Sequence, residues 1–185
     1  MELRDYLPDS WTIEDEYDSM PHEIHAELID GIILLFEMPT IEHNDAAGEI
    51  CLQLKLYLRG KHCRALYDTR VQLDKAKSDV LRPDVMLVCD RSKIHLRRVI
   101  GVPDLIVEVL SPSNHKHDTH TKRDIYQHAG VPEYWMVDTR NKYVEVLILR
   151  DGYYVPTVYH AADSIKVSVL DDCVIELEYV FPDDD

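Results

Sequence analysis

Apolar and polar positions along the chain follow two periods, and each predicts a different element. Across residues 44–58, Ala47, Ile50, Cys51, Leu54, Tyr57 and Leu58 recur at helical spacing, and Gly60 supplies a stop. That pattern predicts an amphipathic helix. Short runs rich in β-branched and aromatic residues predict strands at 64–74, 84–90, 105–110, 133–138 and 143–149. "AELIDGIILLFEM" predicts two short strands turning at Asp30-Gly31, and "WTIEDEYDSM" a short helix ahead of them. A second helix is predicted over 119–129, with Asp118 as its N-cap and Gly130-Val131-Pro132 as its stop. "IKVSVLDDCVIELEYVF" predicts one or two edge strands near the end. Together the elements predict a single α/β (α+β) domain over 1–185, a mixed central sheet flanked by helices. Within it, residues 1–40 hold the first helix and hairpin, 41–150 the core, and 151–185 the edge strands.

Composition narrows the class. A chain of 185 residues can bury a sizeable core. No run approaches the roughly 20 apolar residues of a membrane helix. The first twenty residues are acidic and lack an apolar stretch, so they do not read as a signal peptide. Cys51, Cys63, Cys89 and Cys173 show no CxxC spacing. The expectation is a cytoplasmic protein with free buried thiols and no zinc site.

The net charge of −15 argues against non-specific nucleic-acid binding until its distribution is considered. Residues 1–30 carry −9 (ten acids, one base) and residues 151–185 carry −8 (nine acids, one base). The remaining 120 residues therefore carry +2, from 18 bases and 16 acids. Two basic clusters stand out there, "RSKIHLRR" and "NHKHDTHTKR", for which solvated loops are the ordinary explanation.

Candidate chemistry begins with "PDLIVEVLSPS", residues 103–113, where Glu108 interrupts an apolar strand. A buried carboxylate is costly unless it is paired, protonated or metal-bound. Asp104 lies four residues earlier on the same strand, roughly 13 Å away, which is too far to share an ion. Asp84 opens the preceding apolar strand. If the two strands are neighbours, its carboxylate can converge on that of Glu108. Two such carboxylates repel unless a cation intervenes, and Mg²⁺ suits a site of hard oxygen ligands that keeps several waters. Glu27 also sits among apolar neighbours and is a candidate third carboxylate. His43, at the start of the long helix, is a candidate for the same cleft or a cap. Asp104 reads as a turn residue, Asp138 as a strand end, and Tyr134 and Trp135 as core. His115, His117 and His120 read as a polar loop rather than a metal cluster.

Pro83-Asp84 followed by Glu108 resembles the PD-(D/E)XK nuclease superfamily. "AELIDG", "EHN", "RPDVMLV", "PDLIVEVLSPS", "DTHTKRDIYQHAGVPEYWMVD" and the closing "VFP" together resemble the Uma-two family of restriction-endonuclease-like proteins. The resemblance implies a restriction-endonuclease-like fold and a metal-dependent endonuclease that hydrolyses phosphodiester bonds of nucleic acid, DNA first. It implies Mg²⁺ or Mn²⁺ held by Asp84, Glu108 and the main-chain carbonyl of Val109, and a homodimer. One departure matters. The superfamily places a lysine two residues after the glutamate, and here that residue is Leu110. The narrower family implies that Lys122, on the following helix, has taken over. The alternatives are an inactive nuclease fold that serves as a dimeric binding module, and a metal-dependent hydrolase of another substrate. Lys122 would then be only a surface partner of Asp118.

Overall fold

The computed structural model describes residues 12–21, 24–111 and 117–181. Helix α1 (Ile13–Ser19) precedes the hairpin β1 (Ala26–Ile29) and β2 (Ile32–Leu35), and the long helix α2 (Ile41–Tyr57) follows. Next come β3 (Arg64–Tyr67), β4 (Val71–Gln72), β5 (Val85–Val88), β6 (Val99–Ile100) and β7 (Leu105–Val109). A π-helical turn, His117–Lys122, runs into α3 (Arg123–Ala129). The chain ends with β8 (Glu133–Asp138), β9 (Tyr143–Arg150), β10 (Tyr153–His160), β11 (Ser164–Lys166), β12 (Val174–Glu176) and α4 (Leu177–Val180). The mixed α+β class expected from the sequence is the class observed.

The central sheet has the order β10-β9-β8-β7-β5-β3. Only β7 and β8 pair in parallel, because α3 carries the chain over one face between them. The sheet is covered on both sides. On one face, Ala47, Ile50, Cys51 and Leu54 of α2 pack with Val85, Val107, Val109 and Trp135. On the other, Tyr126 of α3 packs with Met86, Ile106, Leu110 and Tyr134. Ile106, Glu108 and Leu110 alternate along β7 onto this second face. Its five positions are therefore all buried, Glu108 included.

Three boundaries differ from expectation. Helix α2 begins at Ile41 because the Thr40 side chain accepts a hydrogen bond from the His43 N–H and caps it. Ile41, Glu42 and Asn44 in its first turn are exposed, so no apolar period marks it. The run 64–74 is two strands rather than one. Asp68 has φ 46°, which breaks the extended chain and sends β3 and β4 into different sheets. Strand β10 has no run of buried positions, and lacks the alternation that would reveal it. The side chain of Asp118, expected as a cap, lies outside the described residues.

The cysteine expectation needs correction: Cys63 and Cys89 form a disulfide, with Cα atoms 3.9 Å apart. They continue the β3–β5 register one step beyond Arg64↔Val88, so sheet pairing sets them opposite each other. Spacing along the chain, 26 residues, carries no trace of that proximity. Cys51 and Cys173 are free and buried, as expected. Among the described residues, no helix is long and apolar enough to cross a membrane.

Candidate active site

Strands β1 and β7, the entry of β5, the first turn of α2, and the π-helical turn with α3 build the site. β5 and β7 are antiparallel neighbours with Val85 opposite Val107, and one more step of that register sets Asp84 opposite Glu108. The Val109 N–H donates to Asp84 Oδ2 at 2.7 Å and locks the carboxylate against β7. The extended segment before β5 runs beside β1, where Leu28 and Val80 exchange backbone hydrogen bonds. That pairing delivers Glu27 to the site. Its Oε1 accepts the Arg82 N–H at 2.9 Å. Glu27 is fully buried, and Glu108 and Asp84 are 3% and 9% exposed.

Lys122 sits among these carboxylates and is itself buried. Its Nζ lies 2.8 Å from Glu27 Oε1 and 3.1 Å from Glu108 Oε1. It also lies 5.7 Å from the centre of the Phe36 ring, where a cation is favoured. One helical turn on, the Tyr126 hydroxyl donates to Glu108 Oε1 at 2.7 Å. Burial first, and then the Glu108 carboxylate, hold the Tyr126 phenol well above its ordinary pKa, so it stays a donor. His43 comes from the first turn of α2, and its Nε2 lies 3.2 Å from Asp84 Oδ2.

All five side chains expected at the site, Glu27, His43, Asp84, Glu108 and Lys122, thus meet in one place. Lys122 faces the sheet rather than the surface. Of the residues set aside, Asp104, Asp138, Tyr134 and Trp135 fall where expected, while His117 and His120, expected in a loop, belong to the π-helical turn. Asp104 accepts the Cys89 N–H at 2.7 Å beside the strand entry, and Asp138 ends β8 by accepting from the Asn141 N–H and side-chain amide. Tyr134 and Trp135 are core. His120 is exposed, while the side chains of His115 and His117 lie outside the described residues.

Sequence reasoning missed two contributors. Tyr126 stands four residues after Lys122 on the same helical face, a spacing that points to it. Asp68 is hidden inside what reads as a continuous strand. It accepts the Arg82 Nε and Nη2 donors at 2.6 and 2.7 Å, and its own N–H donates to the Asp84 carbonyl at 2.8 Å.

The charge balance says what the site can hold. Among the described residues, three buried carboxylates, Glu27, Asp84 and Glu108, gather around one buried lysine. Among the described residues, Asp84 Oδ1 accepts no hydrogen bond, and no group of three or more His, Cys, Asp or Glu side chains is arranged to hold an ion. These residues fit a hard divalent cation with two carboxylate ligands and water elsewhere. They do not fit a closed cage of protein ligands.

A family model described as "Putative restriction endonuclease", Uma2, matches residues 14–178. The chain belongs to the Uma2 family. A crystal structure titled "a putative nuclease belonging to DUF820", from Anabaena variabilis, superposes on it with a TM-score of 0.74. That protein is 18% identical, and the match covers 92% of this chain and 97% of that one. At this identity the likeness establishes the fold. No curated protein matches the chain.

Proposed function

We propose that this Uma2 chain is a divalent-metal-dependent endonuclease that cleaves phosphodiester bonds of DNA. The observation that carries the reading is the buried Lys122, held between Glu27 and Glu108 next to Asp84 on the neighbouring strand. A binding module has no need of three carboxylates and a lysine in its interior, since each is costly to bury. In this reading Lys122, at the end of the π-helical turn that leads into α3, stands in for the lysine absent at position 110.

Asp84, Glu108 and the Val109 carbonyl would hold Mg²⁺ or Mn²⁺. In a strand, the C=O and N–H of one residue point to the same side, and the Val109 N–H already points at Asp84. Bound there, the ion would supply Lewis acidity toward the phosphate and a more acidic water. The protein's own groups do the rest. Glu27 and Glu108 hold and aim Lys122, and Lys122 stabilises negative charge developing on the phosphate oxygens. Tyr126 fixes the Glu108 rotamer, and the Val109 N–H fixes Asp84. A homodimer belongs to this reading on family resemblance alone.

The test is cleavage of duplex, single-stranded and branched DNA with Mg²⁺ or Mn²⁺, beside Asp84→Ala. Metal-dependent cleavage lost in Asp84→Ala is expected. Cleavage that survives in Asp84→Ala, or no cleavage of any substrate, overturns the reading.

A further inference from the structure

A second cleft, about 360 Å³ in volume, shares a wall with the carboxylate site. Asp68, Arg70, Arg82, His95, Arg97 and Arg98 supply its polar lining. Two of these residues belong to both places: Asp68 donates its N–H to the Asp84 carbonyl, and Arg82 donates its N–H to Glu27. Arg82 precedes Asp84 by two residues, about 7 Å of extended chain. A strand lying in the cleft would thus reach the carboxylates within roughly two nucleotides, at 3.4 Å of rise each.

Four guanidinium groups in one cleft are unusual in a chain of net charge −15. Some are already neutralised. Arg82 forms the two-point pair with Asp68, and Arg98 pairs with Asp18 and, at 3.6 Å, with Glu14. Two are not satisfied in this way. Arg70 is 6% exposed and stacks on Tyr17 at 4.4 Å from the ring centre. Its Nη1 stands 3.9 Å from Asp18, and its buried Nη2 has no hydrogen-bond partner among the described residues. The cost of that buried N–H is offset in part by the Tyr17 ring, and Arg70 serves as a fixed positive charge in the cleft wall. Arg97 is exposed and enters no ion pair among the described residues.

Arg97 also stands at the tip of a tight turn. The His95 N–H donates to the Arg98 carbonyl at 3.0 Å, and Ile94 pairs with Val99. This leaves Leu96 and Arg97 projecting, with Leu96 97% exposed. A fully exposed leucine beside an arginine that enters no ion pair among the described residues gains nothing for the fold. On nucleic acid the same pair matches an apolar wedge with a phosphate contact next to it.

We propose that this cleft binds a backbone phosphate of a nucleic-acid strand, with Leu96 and Arg97 gripping the same strand beside the carboxylate site. This rests on the nuclease reading for the identity of the ligand. The arginines suit the diester oxygens because the planar guanidinium offers paired donors and keeps its charge.

The test is direct binding of a fluorescein-labelled DNA duplex, read by anisotropy across a salt series with divalent ions chelated. Four proteins are compared: wild type, Arg97→Glu, Leu96→Ser, and Arg59→Glu. The last reverses an exposed charge at the far end of α2 and controls for net charge. One phosphate contact contributes a salt slope of about 0.9, which near 0.1 M salt is about tenfold in affinity. Arg97→Glu should therefore bind at least about tenfold more weakly than Arg59→Glu, with a slope smaller by about one. Leu96→Ser should weaken binding with the slope unchanged. Thermal melts confirm that each variant is folded. Equal binding by Arg97→Glu and Arg59→Glu, or no binding by wild type at low salt, overturns the proposal. Cleavage by wild type together with unimpaired Arg97→Glu binding removes this inference and leaves the nuclease reading standing. The converse result, binding lost in Arg97→Glu without cleavage by wild type, removes the nuclease reading alone.

Discussion

Replacing Lys122 with methionine tests the physical logic of the site without requiring a substrate. Methionine approximates the stem of lysine and removes only the charged head, so packing changes little. The head lies between Glu27 and Glu108, at 2.8 and 3.1 Å. Without it, the buried carboxylates of Glu27 and Glu108 lose the ammonium that contacts both of them beside Asp84. Removing one partner of a buried ion pair costs about 3 to 5 kcal/mol, because the remaining charge is stranded. A domain of this length loses about 2 to 4 °C of Tm per kcal/mol, so the expected fall is about 6 to 20 °C in metal-free buffer at neutral pH. The stranded carboxylates bind protons more readily in the folded state than in the unfolded chain. The loss should therefore shrink as pH falls toward the ordinary carboxylate range. Thermal melts of wild type and variant at neutral and mildly acidic pH measure both effects. A variant as stable as wild type at neutral pH, or a gap that widens on acidification, would refute the claim that Lys122 neutralises this site.

Further outcomes follow from the same geometry. Mg²⁺ at about 100 times its dissociation constant should stabilise wild type by about 2.7 kcal/mol, raising Tm by about 5 to 10 °C. An Asp84→Asn/Glu108→Gln double variant should show no such rise, and an identical rise would place the ion elsewhere. Lys122→Ala should lose about 10² to 10³ in cleavage rate. Leu110→Lys in that background should restore part of the loss, since residue 110 shares the Glu108 face of β7; wild-type cleavage by Lys122→Ala contradicts the assignment. Burial pushes the Cys173 thiol up to about 11 and raises Cys51 as well, so both thiols stay protonated at neutral pH and should resist alkylation in the native protein. Denatured without reductant, the chain should titrate two thiols, and four after reduction; four without reductant would exclude the Cys63–Cys89 bond.

Much of the site is legible in the sequence because it breaks a local rule. Glu27 and Glu108 each stand inside a short apolar run, where a carboxylate is too costly to keep without a purpose. Asp84 is reachable because it opens an apolar strand, whereas Lys122 was implied only by the family resemblance, since helix spacing by itself pairs it with Asp118. The long helix and most strands are legible for the converse reason, that their residues obey the period of one buried face.

What the sequence could not decide was adjacency between segments far apart in the chain. Only the sheet sets Asp84 opposite Glu108, since that requires β5 and β7 to be neighbours in one particular register. The same holds for Cys63 and Cys89, whose pairing comes from the β3–β5 ladder and not from their spacing. The break at Asp68 was hidden because a single residue with positive φ leaves the apolar alternation around it intact. Local pattern determines which face of each element is buried, because that follows from the period of its own residues. Which buried faces meet is settled by strand order and register, and these depend on hydrogen bonds between segments whose sequences carry no record of each other.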